Sequence, residues 1–424
     1  MKIAFINQPW NNAEPPVQSG SIAIWIYQVS QHLSQSCDVI VYGKRDRLRK
    51  KEESQNGIHY RYVSIYLDHK VDKIRKIPKK KVFKYFSGFF NSKRPGFSAW
   101  WYYGGYVLQV ALDLRKRECD VVHITNFSQF VPIIRAFNPG IKIVLHMQCE
   151  WLTQLDRTMI EKRLQQVDLV VSCSAYITEK IQRRFPRFAN RCQTVFNGVD
   201  VNYFVDQRKQ HKKEKNDTKN ILFVGRVSPE KGAHILLKAF QQVVKHFSQV
   251  KLEIVGPVAA APVEFIIALD GEDKVQDLVA YYDDGGYFQQ LQDKLSGDMK
   301  RRVVFPGAVP HSELINYYQN ASVFVFPSVW NEPFGIPVVE AMASGVPVVS
   351  TRGGGIVETV DDGITGLLVE RGNAQALAEA TLSLLQDENL RESMGKAARK
   401  RAVEFYSWER ITENLLQRYE EILK

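Results

Sequence analysis

The chain has 424 residues, 45% of them hydrophobic, with a formal net charge of +11; that length exceeds one ordinary core and points to two domains. Its five cysteines, Cys37, Cys119, Cys149, Cys173 and Cys192, are scattered and form no C-x-x-C pair, which speaks against a disulfide framework or a zinc site and fits a reducing cytosol. The opening MKIAFINQPW is too short an apolar run for a signal peptide, and no stretch reaches the roughly 18 apolar residues of a spanning helix, so neither standard export nor membrane insertion is expected.

In chain order, KIAFI at the start, CDVVHI from 119, IKIVLH from 141 and VDLVVSCS from 167 are short, nearly continuous apolar runs, as expected of strands buried on both faces. Helical patterns such as IAIWIYQVSQHLSQS lie between them, which predicts a doubly wound parallel sheet. His123 and His146 each follow such a run and are expected at its carboxyl edge, one of the two as a packing or loop residue.

Residues 41–94 hold 17 Lys and Arg against 5 Asp and Glu, a net of +12, so the rest of the chain is near neutral. Within 70–97 these cations alternate with Ile, Val, Phe and Tyr. Two readings are open: an anionic membrane surface met by cations and interfacial aromatics, or a solvated loop with no partner. No nucleic-acid module is visible.

The polar stretch 206–220 reads as a linker, after which the alternation restarts with NILFVGR, a helix from about 232, VKLEIVG, RVVFPG, SVFVFPS and VPVVST. The final YSWERITENLLQRYEEILK is an amphipathic helix. Ligands of doubly wound sheets sit beyond the carboxyl ends of the strands, so the segments following the strands are where chemistry is expected.

FVGRVSPEKG, 223–232, places Arg226 and Lys231 beside a helix start and suits a diphosphate, or is a loop with two solvated cations. In STRGGGIVETV, 350–360, backbone N–H groups of three glycines could approach a phosphate. Gly353 and Gly355 match two glycines of the dinucleotide fingerprint, but Glu358 stands where the third belongs, and no P-loop occurs. NEPFGIPVVEAMASG, from 331, sets Glu332 before a Phe-Gly turn and Glu340 inside a helix, leaning back toward the same side. Such carboxylates can accept hydrogen bonds from vicinal hydroxyls; the alternative is a pair favoured only by the helix dipole, at a few tenths of a kcal/mol each. There is no D-x-D, and Asp283–Asp284 and Asp361–Asp362 precede glycine and read as turns, so no metal site is expected.

Taken with NGVD at 197–200 and GGGIVETVDDGITGLLV, these motifs resemble the retaining nucleotide-sugar glycosyltransferases of family 4, the group 1 glycosyl transferases. The likeness runs nearly throughout the C-terminal half and is weak in the N-terminal half. It implies a GT-B fold, α/β, with two doubly wound Rossmann-like domains facing a cleft: an acceptor domain over 1–199 with helix 408–424 packed back on it, and a donor domain over 200–407. It implies that Arg226 and Lys231 neutralise the donor diphosphate, with Gly20 and Ser21 supplying N–H groups. Ser21 departs from the family's second glycine. It further implies that Glu332, Pro333, Phe334, Gly335 and Ile336 hold the transferred sugar, His146 hydrogen-bonds that sugar near the reacting centre, and Glu340 holds the ribose. The base would rest near Val309 and Pro310. Neither metal nor cofactor is expected beyond the nucleotide-sugar substrate, UDP-glucose by family frequency. The expected acceptor is a saccharide or lipid-linked saccharide, and the expected setting a cytoplasmic monomer at the inner membrane face. An epimerase or phosphorylase on the same fold, and a non-catalytic sugar-binding protein, are the competing readings.

Overall fold

The computed structural model describes residues 1–11, 13–45, 50–75, 93–205, 218–282, 286–295 and 297–424. The heart of the basic stretch, most of the polar stretch 206–220, and Asp283–Asp284 lie outside them. The chain divides into two compact units, Met1–Phe196 with Ile411–Lys424, and Asn197–Arg410.

The first unit is built on strands β1 (Lys2–Ile6), β2 (Asp38–Lys44), β3 (Glu52–Gln55), β4 (Ile58–Val63), β5 (Val121–Thr125), β6 (Lys142–Met147), β7 (Leu169–Ser172) and β8 (Cys192–Thr194), in the order β3-β4-β2-β1-β5-β6-β7-β8. All pairings are parallel except β3 with β4. Ile3, Ala4 and Phe5 are wholly buried, as are Val121, Val122, Ile143, Val144 and Leu145, so the unbroken apolar runs are explained by helices on both faces.

The hairpin β3–β4 lies within the basic stretch 41–94. Asn56 and Gly57 both take positive φ, 52° and 76°, the turn that Asn-Gly favours between antiparallel strands. Arg61, on β4, is neutralised locally by Asp113 at 2.8 Å and by Glu52.

The second unit carries β9 (Lys219–Val224), β10 (Val250–Val255), β11 (Val303–Gly307), β12 (Val323–Phe326), β13 (Val348–Thr351) and β14 (Gly366–Val369), in the order β11-β10-β9-β12-β13-β14, all parallel. Lys219 and Asn220 open β9 rather than ending a linker, because their register with Val250 and Lys251 gives their backbone ladder partners. The strand order reverses between β9 and β12, and again between β1 and β5 in the first unit; a doubly wound sheet opens a crevice at such a point.

The last helix is Trp408–Leu423. Trp408 packs on Gly198 so tightly that a Cβ there would lie 2.3 Å from the indole, which accounts for the glycine of NGVD. From Ile411 onward the helix belongs to the first unit, where Leu415 and Tyr419 are fully buried. Among the described residues, no helix is long and apolar enough to cross a membrane.

Candidate active site

The two segments at the switch point of the second sheet are the one after β9, carrying Arg226 and Lys231, and the one after β12, carrying Glu332. They are pressed together at Gly232, whose φ is +77° and where a Cβ would come within 2.0 Å of the Pro327 carbonyl oxygen. That close approach lets Lys231 reach across: its Nζ lies 2.5 Å from Glu332 Oε2. Trp330 Nε1 donates to the same oxygen at 2.9 Å. The ammonium also sits 5.4 Å from the Phe326 ring centre and 5.3 Å from that of Trp330. Both ends of the pair are nearly desolvated, with side chains 12% and 10% exposed, so each charge depends on the other.

Arg226 is more open, its side chain 38% exposed. Its Nη2 donates to Glu230 Oε1 at 3.0 Å, and Ser228 Oγ donates to that oxygen at 2.7 Å. Glu230 is completely buried, and its Oε2 has no hydrogen-bond partner among the described residues. The guanidinium is thus anchored by one edge while its remaining donors face outward.

Two of the three glycines whose N–H groups could approach a phosphate use those groups within the chain. Gly355 N–H donates to the Glu332 carbonyl at 2.7 Å and Gly354 N–H to Asn331 Oδ1 at 3.2 Å. A Cβ at Gly354, where φ is +61°, would lie 2.1 Å from the Glu332 carbonyl oxygen. These glycines let the chain pack against Asn331 and Glu332 and fix their backbone. A second brace comes from Glu272, whose Oε1 accepts from Asn331 Nδ2 at 2.6 Å and whose Oε2 accepts from Arg371 Nη2 at 2.6 Å.

Gly335, at φ +90°, begins the helix Ile336–Ala343, and a Cβ there would press to 2.5 Å from Ile356 Cδ1. Pro333 is buried, Ile336 is half-buried, and Phe334 is buried edge-on to Tyr406 at 5.6 Å. Glu340 does not lean toward Glu332 with a free carboxylate. It is 4% exposed; its Oε1 is 2.8 Å from His311 Nε2, and its Oε2 accepts from the Tyr318 hydroxyl at 2.7 Å. Burial alone would lower the His311 pKa, but the hydrogen bond and charge of Glu340 outweigh it and raise it above the usual imidazole value. His311 follows Val309 and Pro310, so the segment expected to meet the base is tied to the residue expected to meet the ribose.

In the first unit, Gly20 takes φ +81° as the N-cap of the helix Ser21–Leu33, and no side chain caps that start. Gly20 and Ser21 are both exposed. His123 and His146 lie within β5 and β6 rather than past their ends, and both are fully buried. Their imidazoles bond to each other, Nε2 to Nδ1, at 3.0 Å. Neither lies past its strand, because Ile124 and Thr125 continue the β5 ladder and Met147 that of β6.

A family model described as "Glycosyl transferases group 1" matches residues 205–401, and one described as "Glycosyltransferase Family 4" matches 22–203. The chain belongs to the group 1 glycosyltransferases of family 4. This glycosyltransferase is 26% identical to the "Spore coat protein SA" of Bacillus subtilis over 96% of both chains. It is also 26% identical to the "Lipopolysaccharide 1,2-N-acetylglucosaminetransferase" of Salmonella typhimurium, over 97% of this chain and 95% of that one. Among solved structures it is similar to Anabaena Alr3699/HepE in complex with UDP and glucose, at TM-score 0.68 and 19% identity over 99% of this chain and 100% of that one. The two Rossmann-like units give it the GT-B fold.

Sequence reasoning singled out the cations and carboxylates of this glycosyltransferase but missed the residues that hold them. Glu230 sits in the quoted SPEKG motif, and its place just before Lys231 was the available signal. Trp330, His311, Tyr318, Glu272 and Arg371 carry no local signal, because their partners are distant in sequence.

Proposed function

We propose that this glycosyltransferase is a retaining, metal-independent hexosyltransferase that takes its sugar from a nucleoside-diphosphate donor, UDP-glucose foremost, and passes it to a saccharide or lipid-linked saccharide in envelope or exopolysaccharide synthesis. The observation that carries the reading is the Lys231–Glu332 pair at 2.5 Å, with Arg226 held by Glu230 on the same segment as Lys231. A cation for phosphate and a carboxylate for hydroxyls satisfy each other in the free protein, and both find new partners when one donor molecule brings both groups. The names of the lipopolysaccharide N-acetylglucosaminetransferase and of the HepE complex with UDP and glucose support the donor class.

In this reading Lys231 and Arg226 turn to the diphosphate, joined by the N–H groups at Gly20 and Ser21. Glu332, with Pro333, Phe334, Gly335 and Ile336, takes the hexose hydroxyls. Glu340 takes the ribose and Val309–Pro310 the base, while His146 donates to the hexose. The bond from the anomeric carbon to the phosphate oxygen breaks with its electrons going to phosphate. The acceptor oxygen then bonds the carbon from the same face, and its proton passes to the departing phosphate oxygen. Charge develops on that oxygen, so preorganised cations are the main protein contribution.

The acceptor reading extends to a peripheral, cytoplasmic monomer at an anionic membrane. Its support is the charge of 41–94 together with Tyr66, Leu67 and Trp100, which are 54%, 64% and 69% exposed. Transfer assays with UDP-glucose, UDP-N-acetylglucosamine, UDP-galactose and GDP-mannose, run with and without chelator, test the function. Release of nucleoside diphosphate only when acceptor is added, with an unchanged anomeric configuration in the product, is expected. Turnover that needs no acceptor contradicts it.

A further inference from the structure

Inside the first unit, four side chains form one continuous hydrogen-bond chain. The Tyr419 hydroxyl, on the last helix, is 2.7 Å from His123 Nδ1. His123 Nε2 is 3.0 Å from His146 Nδ1, and the side-chain nitrogen of Gln148, Nε2, lies 2.9 Å from His146 Nε2. Trp25 stacks on His123 with centroids 5.3 Å apart and stands edge-on to His146 at 4.5 Å. Tyr419, His123 and His146 are fully buried.

The proton positions follow from satisfying each group. Among the described residues the Tyr419 hydroxyl bonds to His123 Nδ1, so its proton points there; an unsatisfied buried donor would cost about 1–3 kcal/mol. Both rings are neutral, since burial pushes His146 down to about 3 and His123, with His146 beside it, well below the usual value. A neutral imidazole holds one N–H. With Nδ1 of His123 accepting, its Nε2 carries hydrogen and donates to His146 Nδ1. His146 therefore carries its own hydrogen on Nε2, which an amide nitrogen cannot accept; the two ends of the Gln148 amide are isosteric, and this proton order requires the amide reversed, with its oxygen in the place of the nitrogen.

We infer that Tyr419 and His123 are positioning residues that hold His146 in the Nε2–H tautomer, so that it presents a fixed, uncharged donor to an oxygen of the transferred sugar. The functional half rests on the donor-sugar role proposed for His146. Gln148 then occupies, in the free protein, the acceptor place of a sugar oxygen. An uncharged donor suits a centre that becomes oxocarbenium-like, because an imidazolium would repel the developing positive charge.

Long-range proton–nitrogen correlation spectra of the full chain, labelled with nitrogen-15 at histidine, read the tautomer directly. In the wild type, His146 Nε2 should show the shift of a protonated ring nitrogen and Nδ1 that of an acceptor. In Tyr419→Phe, which keeps the ring and loses the hydroxyl, the two forms should mix, with transfer slowed several-fold while donor KM stays close to wild type. A wild-type His146 protonated at Nδ1 overturns the inference without any variant, and so does an unchanged tautomer in a folded Tyr419→Phe. A changed tautomer with unchanged transfer leaves the hydrogen-bond chain standing and overturns the placement of His146 at the donor sugar.

Discussion

Lys231 and Glu332, 101 residues apart in sequence, meet at 2.5 Å across the switch point of the second sheet. Each is held for the other by its surroundings, the ammonium by two aromatic faces and the carboxylate by the Trp330 indole N–H. Removing either end therefore disturbs both the fold and the proposed donor site. Lys231→Ala leaves a nearly buried carboxylate unpaired and should cost about 1–3 kcal/mol of stability and at least roughly tenfold in kcat. Glu332→Gln keeps the shape and should be milder in stability. Denaturant melts and transfer rates on the two single mutants and the double mutant give the coupling between them.

The His311–Glu340 contact predicts a pH dependence. The folded-state pKa of His311 is raised, so its contribution to stability is complete below the ordinary imidazole value of 6.5 and is lost as pH rises through the raised folded value. Melting temperatures of wild type and His311→Asn, compared from about pH 5 to about pH 8, should differ most at the acid end and converge as pH rises. A gap that widens with pH contradicts the assignment.

Glycine substitutions separate backbone strain from contact. Gly354 and Gly363 both have positive φ, +61° and +79°, but a Cβ at Gly354 would lie 2.1 Å from the Glu332 carbonyl oxygen, whereas at Gly363 it meets nothing within 4 Å. Gly363→Ala should cost about 1 kcal/mol. Gly354→Ala should cost more and also weaken donor binding, because Glu332 must shift. Equal effects of the two on donor affinity would show that the packing of Gly354 does not set the site.

Membrane docking predicts co-flotation with vesicles containing anionic lipid and none with neutral vesicles, with recovery lost at high salt. Trp100→Ala should reduce recovery, since its side chain is exposed and free to enter the interface. Equal recovery on both vesicle types rejects docking.

The parallel strands were legible because two-sided burial writes itself as unbroken Val and Ile runs. KIAFI coincides with β1, and SVFVFPS contains β12, Val323–Phe326. The Asn56–Gly57 hairpin was equally local and was hidden by the surrounding charge. What could not be read were relations made by the fold. The N–H groups of Gly354 and Gly355 are spent on Asn331 and Glu332, Glu340 is shared between His311 and Tyr318, and His123 and His146 are joined to Tyr419 nearly 300 positions away. Periodicity reports which face a residue takes, not which distant side chain meets it.

The most direct test of the donor site is calorimetric titration of UDP and UDP-glucose into wild type, Lys231→Ala and Glu332→Gln without added metal. Wild type should bind both ligands; Lys231→Ala should weaken both alike, and Glu332→Gln should weaken UDP-glucose while leaving UDP close to wild type. An unchanged preference for UDP-glucose over UDP in Glu332→Gln, or undiminished UDP binding in Lys231→Ala, would contradict the account.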